Sequence, residues 1–183
     1  MTWVYPAGSA ASLIASDHVA GPTRAVLQAR MAARPVAPRF FDSVAYATLD
    51  AVCARLIVGV PHVDIAGAID ARLAGDIGDG WRYNTLPPDG EAYRQGLERI
   101  EALAVCLGSA GFVALAPDAQ DAVLTAAQKA SPRWFEELIA EAAETAYAHP
   151  AVQGAIGYAG FADLPGWQAI HLDERDAREP VDE

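Results

Sequence analysis

The chain has 183 residues, 52% of them hydrophobic, enough for one compact domain that buries about two-thirds of its unfolded-state surface. Its 24 acidic and 13 basic side chains leave a formal net charge of −11, so the positive field that a nucleic-acid or anionic-membrane partner requires is missing. No uninterrupted apolar run approaches the length of a bilayer span.

Residues 1–38 are rich in Pro, Gly and Ser and read as an extended N-terminal arm, with a short helix from Thr23 to Ala33 that Pro35 and Pro38 break. From Arg39 to Ile57, the positions Phe41, Val44, Ala45, Thr48, Val52 and Leu56 follow the spacing of a helix laid against a core, ended by Gly59 and Pro61. A second helix runs from Asp64, as its cap, to about Ala74. The glycine- and proline-rich loop Gly75 to Gly90 then carries Trp81 and Tyr83, and a loop this long inside a domain marks an interaction surface unless Trp81 folds back onto the core.

Asp89 is the expected cap of the next helix, whose stripe is Tyr93, Leu97, Ile100, Ala104 and Leu107. After the break at Gly108 to Gly111, Pro117 opens a helix with Asp118 in its first turn and Val123, Leu124 and Ala127 on its apolar face. Ser131 and Pro132 start the last predicted helix, with Phe135, Leu138, Ile139, Ala142, Ala143 and Ala146 on one side. That helix should end near His149, because Pro150 disfavours helical geometry before it. An irregular path through Gly154, Gly157, Gly160, Pro165 and Gly166 follows, carrying Tyr158, Phe161 and Trp167. Residues 171–183 form an acidic, charge-dense tail. No β-alternation is long enough for a sheet, so the expected fold is all-α: a single-domain irregular helical bundle over residues 39–170 with long loops and extended termini.

Motifs for chemistry are missing from the chain. No Gly-x-Gly-x-x-Gly turn joins a strand to a helix; Gly154, Gly157 and Gly160 follow a helix instead, and no Cys-x-x-Cys-His segment is present to attach haem. His18, His62, His149 and His171 are scattered, so no metal site is expected, and His62-Val63-Asp64 reads as a helix start. Glu136, Glu137, Glu141 and Glu144 have the spacing of a carboxylate pair but also of an ordinary solvated face, which is the expectation. Gly-x-Ser-x-Gly is absent, and Cys53 and Cys106 sit on helix stripes or their edges without a basic neighbour. No catalytic and no cofactor-binding residue is therefore assigned. A Cys53–Cys106 disulfide is left open by the sequence.

The segment from Ser131 to Trp167 resembles the C-terminal signature of the gluconate 2-dehydrogenase subunit 3 family, through Trp134-Phe135, Tyr147, Pro150, Gly154, Gly157, Pro165 and Gly166-Trp167. The resemblance continues upstream through Phe112, Leu115, Gln120, Val123 and Leu124, then Tyr93, Gly96, Leu97 and Ile100. It reaches Ile69-Asp70 and Leu73, then Thr48-Leu49, Val52, Leu56-Ile57 and Pro61, spanning roughly Phe40 to Trp167.

The resemblance implies a cofactor-free, non-catalytic small subunit. Its partner would be a large FAD-dependent dehydrogenase of the glucose-methanol-choline oxidoreductase type that oxidises a sugar, sugar acid or glycoside and passes electrons to a cytochrome or another acceptor. Trp81, Trp134, Phe135, Tyr158, Phe161 and Trp167 are the expected partner-interface residues, since aromatic side chains anchor interface centres, the alternative for Phe135 and Trp134 being a place in the core. Many members of the family carry an export signal, whereas the opening of this chain has neither a basic n-region nor paired arginines. The expectation is a cytoplasmic chain with free thiols, the alternative being export with a signal-bearing partner. A stand-alone helical enzyme or small-molecule binding module is the competing class.

Overall fold

The computed structural model describes residues 9–78, 83–158, 160 and 163. In chain order these form α1 (Ser9–Ala15), α2 (Gly21–Ala32), α3 (Ser43–Leu56), α4 (Ile65–Ala74), α5 (Asp89–Cys106) and a 3-10 turn at Phe112–Ala114. Then come α6 (Pro117–Ala130), α7 (Pro132–Tyr147) and α8 (Pro150–Ile156). No strand occurs among the described residues, so the fold is all-α as expected. The helices gather into two units: the residues of Pro35–Ala146, and the described residues of Met1–Arg34 with Tyr147–Glu183.

In the larger unit, short acidic side chains set where helices begin. Asp42 accepts from the backbone N–H groups of Val44 and Ala45 at 3.0 and 2.8 Å, and Asp64 accepts from that of Gly67 at 2.8 Å, each satisfying a donor that the first helical turn leaves over. Asp70, only 2% exposed, lies within α4 and accepts from three successive backbone N–H groups: Arg39 at 2.7 Å, Phe40 at 3.0 Å and Phe41 at 3.0 Å. Those donors belong to the segment that the sequence placed inside a helix starting at Arg39. With them held by Asp70 and with Asp42 as cap, α3 starts at Ser43 instead.

Against α3 pack α4, α5 and α6, and the centre of the core is fully buried Leu49, Val52, Ile69, Ile100 and Leu138. Glu101 joins three elements here, accepting from the Thr48 hydroxyl of α3 and, at 3.1 Å, from the Phe112 N–H of the 3-10 turn. Pro88 is the N-cap of α5, and Asp89 is its first residue rather than its cap, placed in the acidic first turn that the helix dipole favours. Leu107, expected on the α5 stripe, is the exposed C-cap residue.

The smaller unit packs α1, α2 and α8 pairwise around Ala10, Ile14, Val19 and Leu27. The segment expected as an extended arm thus holds two helices. The Arg24 guanidinium closes the end of α1, donating to the Ile14 carbonyl at 3.0 Å, the Val19 carbonyl at 2.9 Å and the Ser16 carbonyl. Asp163 accepts from the Ala20 N–H at 2.7 Å and the Thr23 hydroxyl at 2.6 Å, bonds that hold its carboxyl below the usual carboxylate range. Pro150, read as the start of an irregular path, opens α8 at a position where its missing N–H costs nothing, with the His149 Nδ1 accepting from Ala151 at 3.2 Å. Gly154 lets α1 come close: a Cβ there would lie 3.1 Å from that of Ala10.

Candidate partner interface

The six aromatic residues expected at the interface divide by placement. Trp134 and Phe135 are each 3% exposed and belong to the core of the larger unit. Their rings pack edge-on at 6.3 Å, and Trp134 meets Tyr93 in the same way at 6.2 Å. Gly96 makes room for the indole, since a Cβ at that position would sit 2.1 Å from two of its ring carbons. The pair is therefore withdrawn from the interface set: fully packed side chains offer a partner no surface. Tyr158 is 50% exposed, directly after the left-handed Gly157 that ends α8. Trp81, Phe161 and Trp167 lie outside the described residues.

A second group of residues, expected as a solvated acidic face, ties the long loop to α7. The Arg72 guanidinium of α4 forms a two-pronged pair with Glu141, at 2.6 and 2.8 Å. Its remaining terminal nitrogen donates to Asp89 at 2.7 Å and to the Ile77 carbonyl at 2.8 Å. Tyr93 donates to the same Glu141 at 2.5 Å. Arg72, Asp89 and Glu141 side chains are only 16–19% exposed, so water screens this network weakly. Burial alone would lower the Arg72 pKa, but the bonds to Glu141 and Asp89 outweigh it and hold the guanidinium firmly charged. Burial first, and the Glu141 charge second, push the Tyr93 phenol well above its ordinary range.

Nearer the start of α7, Glu136 accepts from the Tyr83 hydroxyl at 2.9 Å and from Arg133 at 3.1 Å, and both bonds hold its carboxyl below its ordinary value. Arg133 also lies over the Tyr83 ring, 4.5 Å from its centre. Glu137 accepts from the Tyr83 backbone N–H at 3.3 Å, so of the expected solvated face Glu136, Glu137 and Glu141 are fasteners for the loop. The sequence signal for this was faint: Arg72 falls on a mostly apolar stripe, at the one position there with a charge to place.

A cavity of about 210 Å3 opens between α3, the linker after it and the last turn of α7. Asp50, Cys53 and His62 line it together with apolar Ala54, Ile57 and Pro61. Burial first, then the charge of Asp50, push the Cys53 thiol up to about 12, so this cysteine is a neutral packed group and no nucleophile. Cys53 and Cys106 are unpaired. No cluster of three or more His, Cys, Asp or Glu able to hold a metal ion is found among the described residues. Nor is any described helix long and apolar enough to cross a membrane.

No match was found among curated proteins or solved structures. A model of the family described as gluconate 2-dehydrogenase subunit 3 matches residues 44–167, more than half of the chain. The match takes in every helix from α3 to α8, together with the Arg72–Glu141 clasp, Gly96 beneath Trp134 and the cavity beside Asp50. On that match the chain belongs to the gluconate 2-dehydrogenase subunit 3 family.

Proposed function

We propose that the chain is the non-catalytic small subunit of a dehydrogenase complex. Its large partner, in this reading, is an FAD-dependent enzyme of the glucose-methanol-choline oxidoreductase type that oxidises a sugar, sugar acid or glycoside. The observation that carries the proposal is the family assignment over residues 44–167. The chemistry of the chain agrees with it. A cavity of about 210 Å3 is smaller than the roughly 300 Å3 at which drug-sized ligand sites begin, so it does not fit a dinucleotide. In this reading the flavin and the catalytic base belong to the partner, with a cytochrome or other acceptor receiving the electrons.

The work of such a subunit is physical. A chain that binds only the native form of its partner shifts the partner's folding equilibrium toward that form. Exposed Tyr158, with Trp81, Phe161 and Trp167, makes up the proposed set of aromatic anchors. The complex is placed in the cytoplasm, or beyond it by export on the partner.

Affinity purification of the tagged chain from its native cells tests the proposal. We expect a co-purifying flavoprotein, identified by mass spectrometry and a flavin absorbance spectrum, that oxidises a sugar with an artificial acceptor. The chain expressed alone should be colourless and inactive. Stoichiometric flavin on the isolated chain, or sugar oxidation by it, would turn the reading toward a stand-alone enzyme.

A further inference from the structure

The cavity beside α3 has the form of a socket for a single cationic side chain. Its walls include apolar Ala54, Ile57, Val60 and Pro61 and the imidazole of His62, and its acidic wall is Asp50. Asp50 is exposed and makes no hydrogen bond or ion pair with any described residue. No lysine or arginine lines the cavity. Arg55, nearby on the same helix, is engaged by Asp121 through bonds of 2.8 and 2.5 Å.

Carboxylates around the cavity add to the negative charge of Asp50. The Cys53 thiol and the Tyr46 phenol are both pushed up to about 12, by burial first and then by carboxylates, with Asp50 among the contributors to each. Apolar walls that end at an uncompensated carboxylate suit a methylene stem with a cationic head. A volume of about 210 Å3 suits one side chain better than a cofactor. The occupant follows from charge: a chain of net charge −11 calls for a partner surface that is positive where the two meet.

We propose that this cavity receives one lysine or arginine side chain of the dehydrogenase subunit, its head paired with Asp50 and its stem laid on Ile57, Val60 and Pro61. This inference rests on the small-subunit reading above. The pairing sets register between the two subunits more than it adds affinity, because Asp50 remains partly in water.

The test has two arms, using wild type, Asp50→Asn and Ala54→Leu, the last of which fills the cavity. Both substitutions are at exposed positions, and an unchanged thermal midpoint checks the fold. In the first arm the intact chain is titrated with N-acetyl-arginine amide, and with N-acetyl-citrulline amide as neutral control, and followed by amide NMR. Shifts should appear at Asp50, Ala54 and Val63 with the arginine probe only, and vanish in both variants. Absent shifts, or equal shifts with citrulline, overturn the cationic socket.

In the second arm, affinity is measured for the flavoprotein that co-purifies with wild type. Each variant should bind it about three- to fivefold more weakly. Full affinity of both variants overturns the partner assignment, and with the wild-type probe shifts intact it makes a free small cation the occupant. Should wild type itself bind no flavoprotein, the small-subunit role and the partner assignment fall together, and the probe titration then shows whether the cavity takes a cation at all.

Discussion

Asp70 does the most at the scale of one residue, because its two oxygens hold three backbone donors at the approach to α3. Removing the carboxylate leaves donors without partners beside the core, including that of buried Phe41. Asp70→Ala should therefore lower stability by about 3 kcal/mol in urea unfolding, and Asp70→Asn, which keeps one acceptor oxygen, by less. Equal losses would mean that the oxygen kept by Asn holds none of these donors and that side-chain volume is immaterial, contrary to this account. The sequence placed Asp70 on its helix, but no local pattern announces that a helical carboxylate 31 residues from Arg39 will take its N–H.

Cys53 gives a test of pH dependence. Its folded pKa of about 12 lies above the ordinary 9.0, so below pH 9 folded and unfolded thiols are both neutral and stability is at its full value. Above that the unfolded chain loses its proton first, and stability falls as pH rises toward the folded pKa. At about pH 10.5 the loss from this group is about 2 kcal/mol. Cys53→Ala should flatten the alkaline decline by that amount, and an unchanged decline would place the cause elsewhere. Thiol reagent at neutral pH should modify exposed Cys106 quickly and Cys53 only on unfolding.

Among the elements, α7 carries two contacts that the whole larger unit depends on. At its start, Trp134 sits on Gly96 so closely that Gly96→Ala must move the indole or part α5 from α7. The expected cost is about 2 kcal/mol, with most of it recovered when Trp134→Leu is added. Additive losses in the double variant would mean that the two residues do not share space.

Near the other end of α7, Glu141→Gln should cost about 3 kcal/mol, because it leaves the half-buried Arg72 charge with a weaker partner. In an Arg72→Met background the same change should cost much less, and a cycle without coupling would contradict the clasp. The long helices were legible from apolar spacing, and Asp64, Pro117 and Pro132 marked their starts. The seven-residue α1 and α8 were not, because two turns are too short for a period to show and Gly154 reads as a breaker until Ala10 is seen against it.

At the scale of the molecule, the described helices form a larger unit and a smaller one built from α1, α2 and α8. The all-α class, and the family itself, were legible because Gly and Pro punctuation kept its order across four helical blocks. Of the aromatic residues, Trp134 and Phe135 are core, since an aromatic at the start of an amphipathic helix serves packing and docking equally well. The negative cavity was not legible, as Asp50 and His62 meet only when the linker folds back over α3.

The central claim is that this chain works by holding a dehydrogenase subunit in its native form. The most direct measurement is the yield of soluble, flavin-loaded large subunit from native cells with the gene for this chain intact, deleted, or restored in trans. The account predicts that deletion lowers yield and activity by about tenfold or more, equivalent to about 1.4 kcal/mol of lost stabilisation, and that restoration recovers both. A large subunit that accumulates, binds flavin and oxidises its sugar equally well without this chain would contradict it.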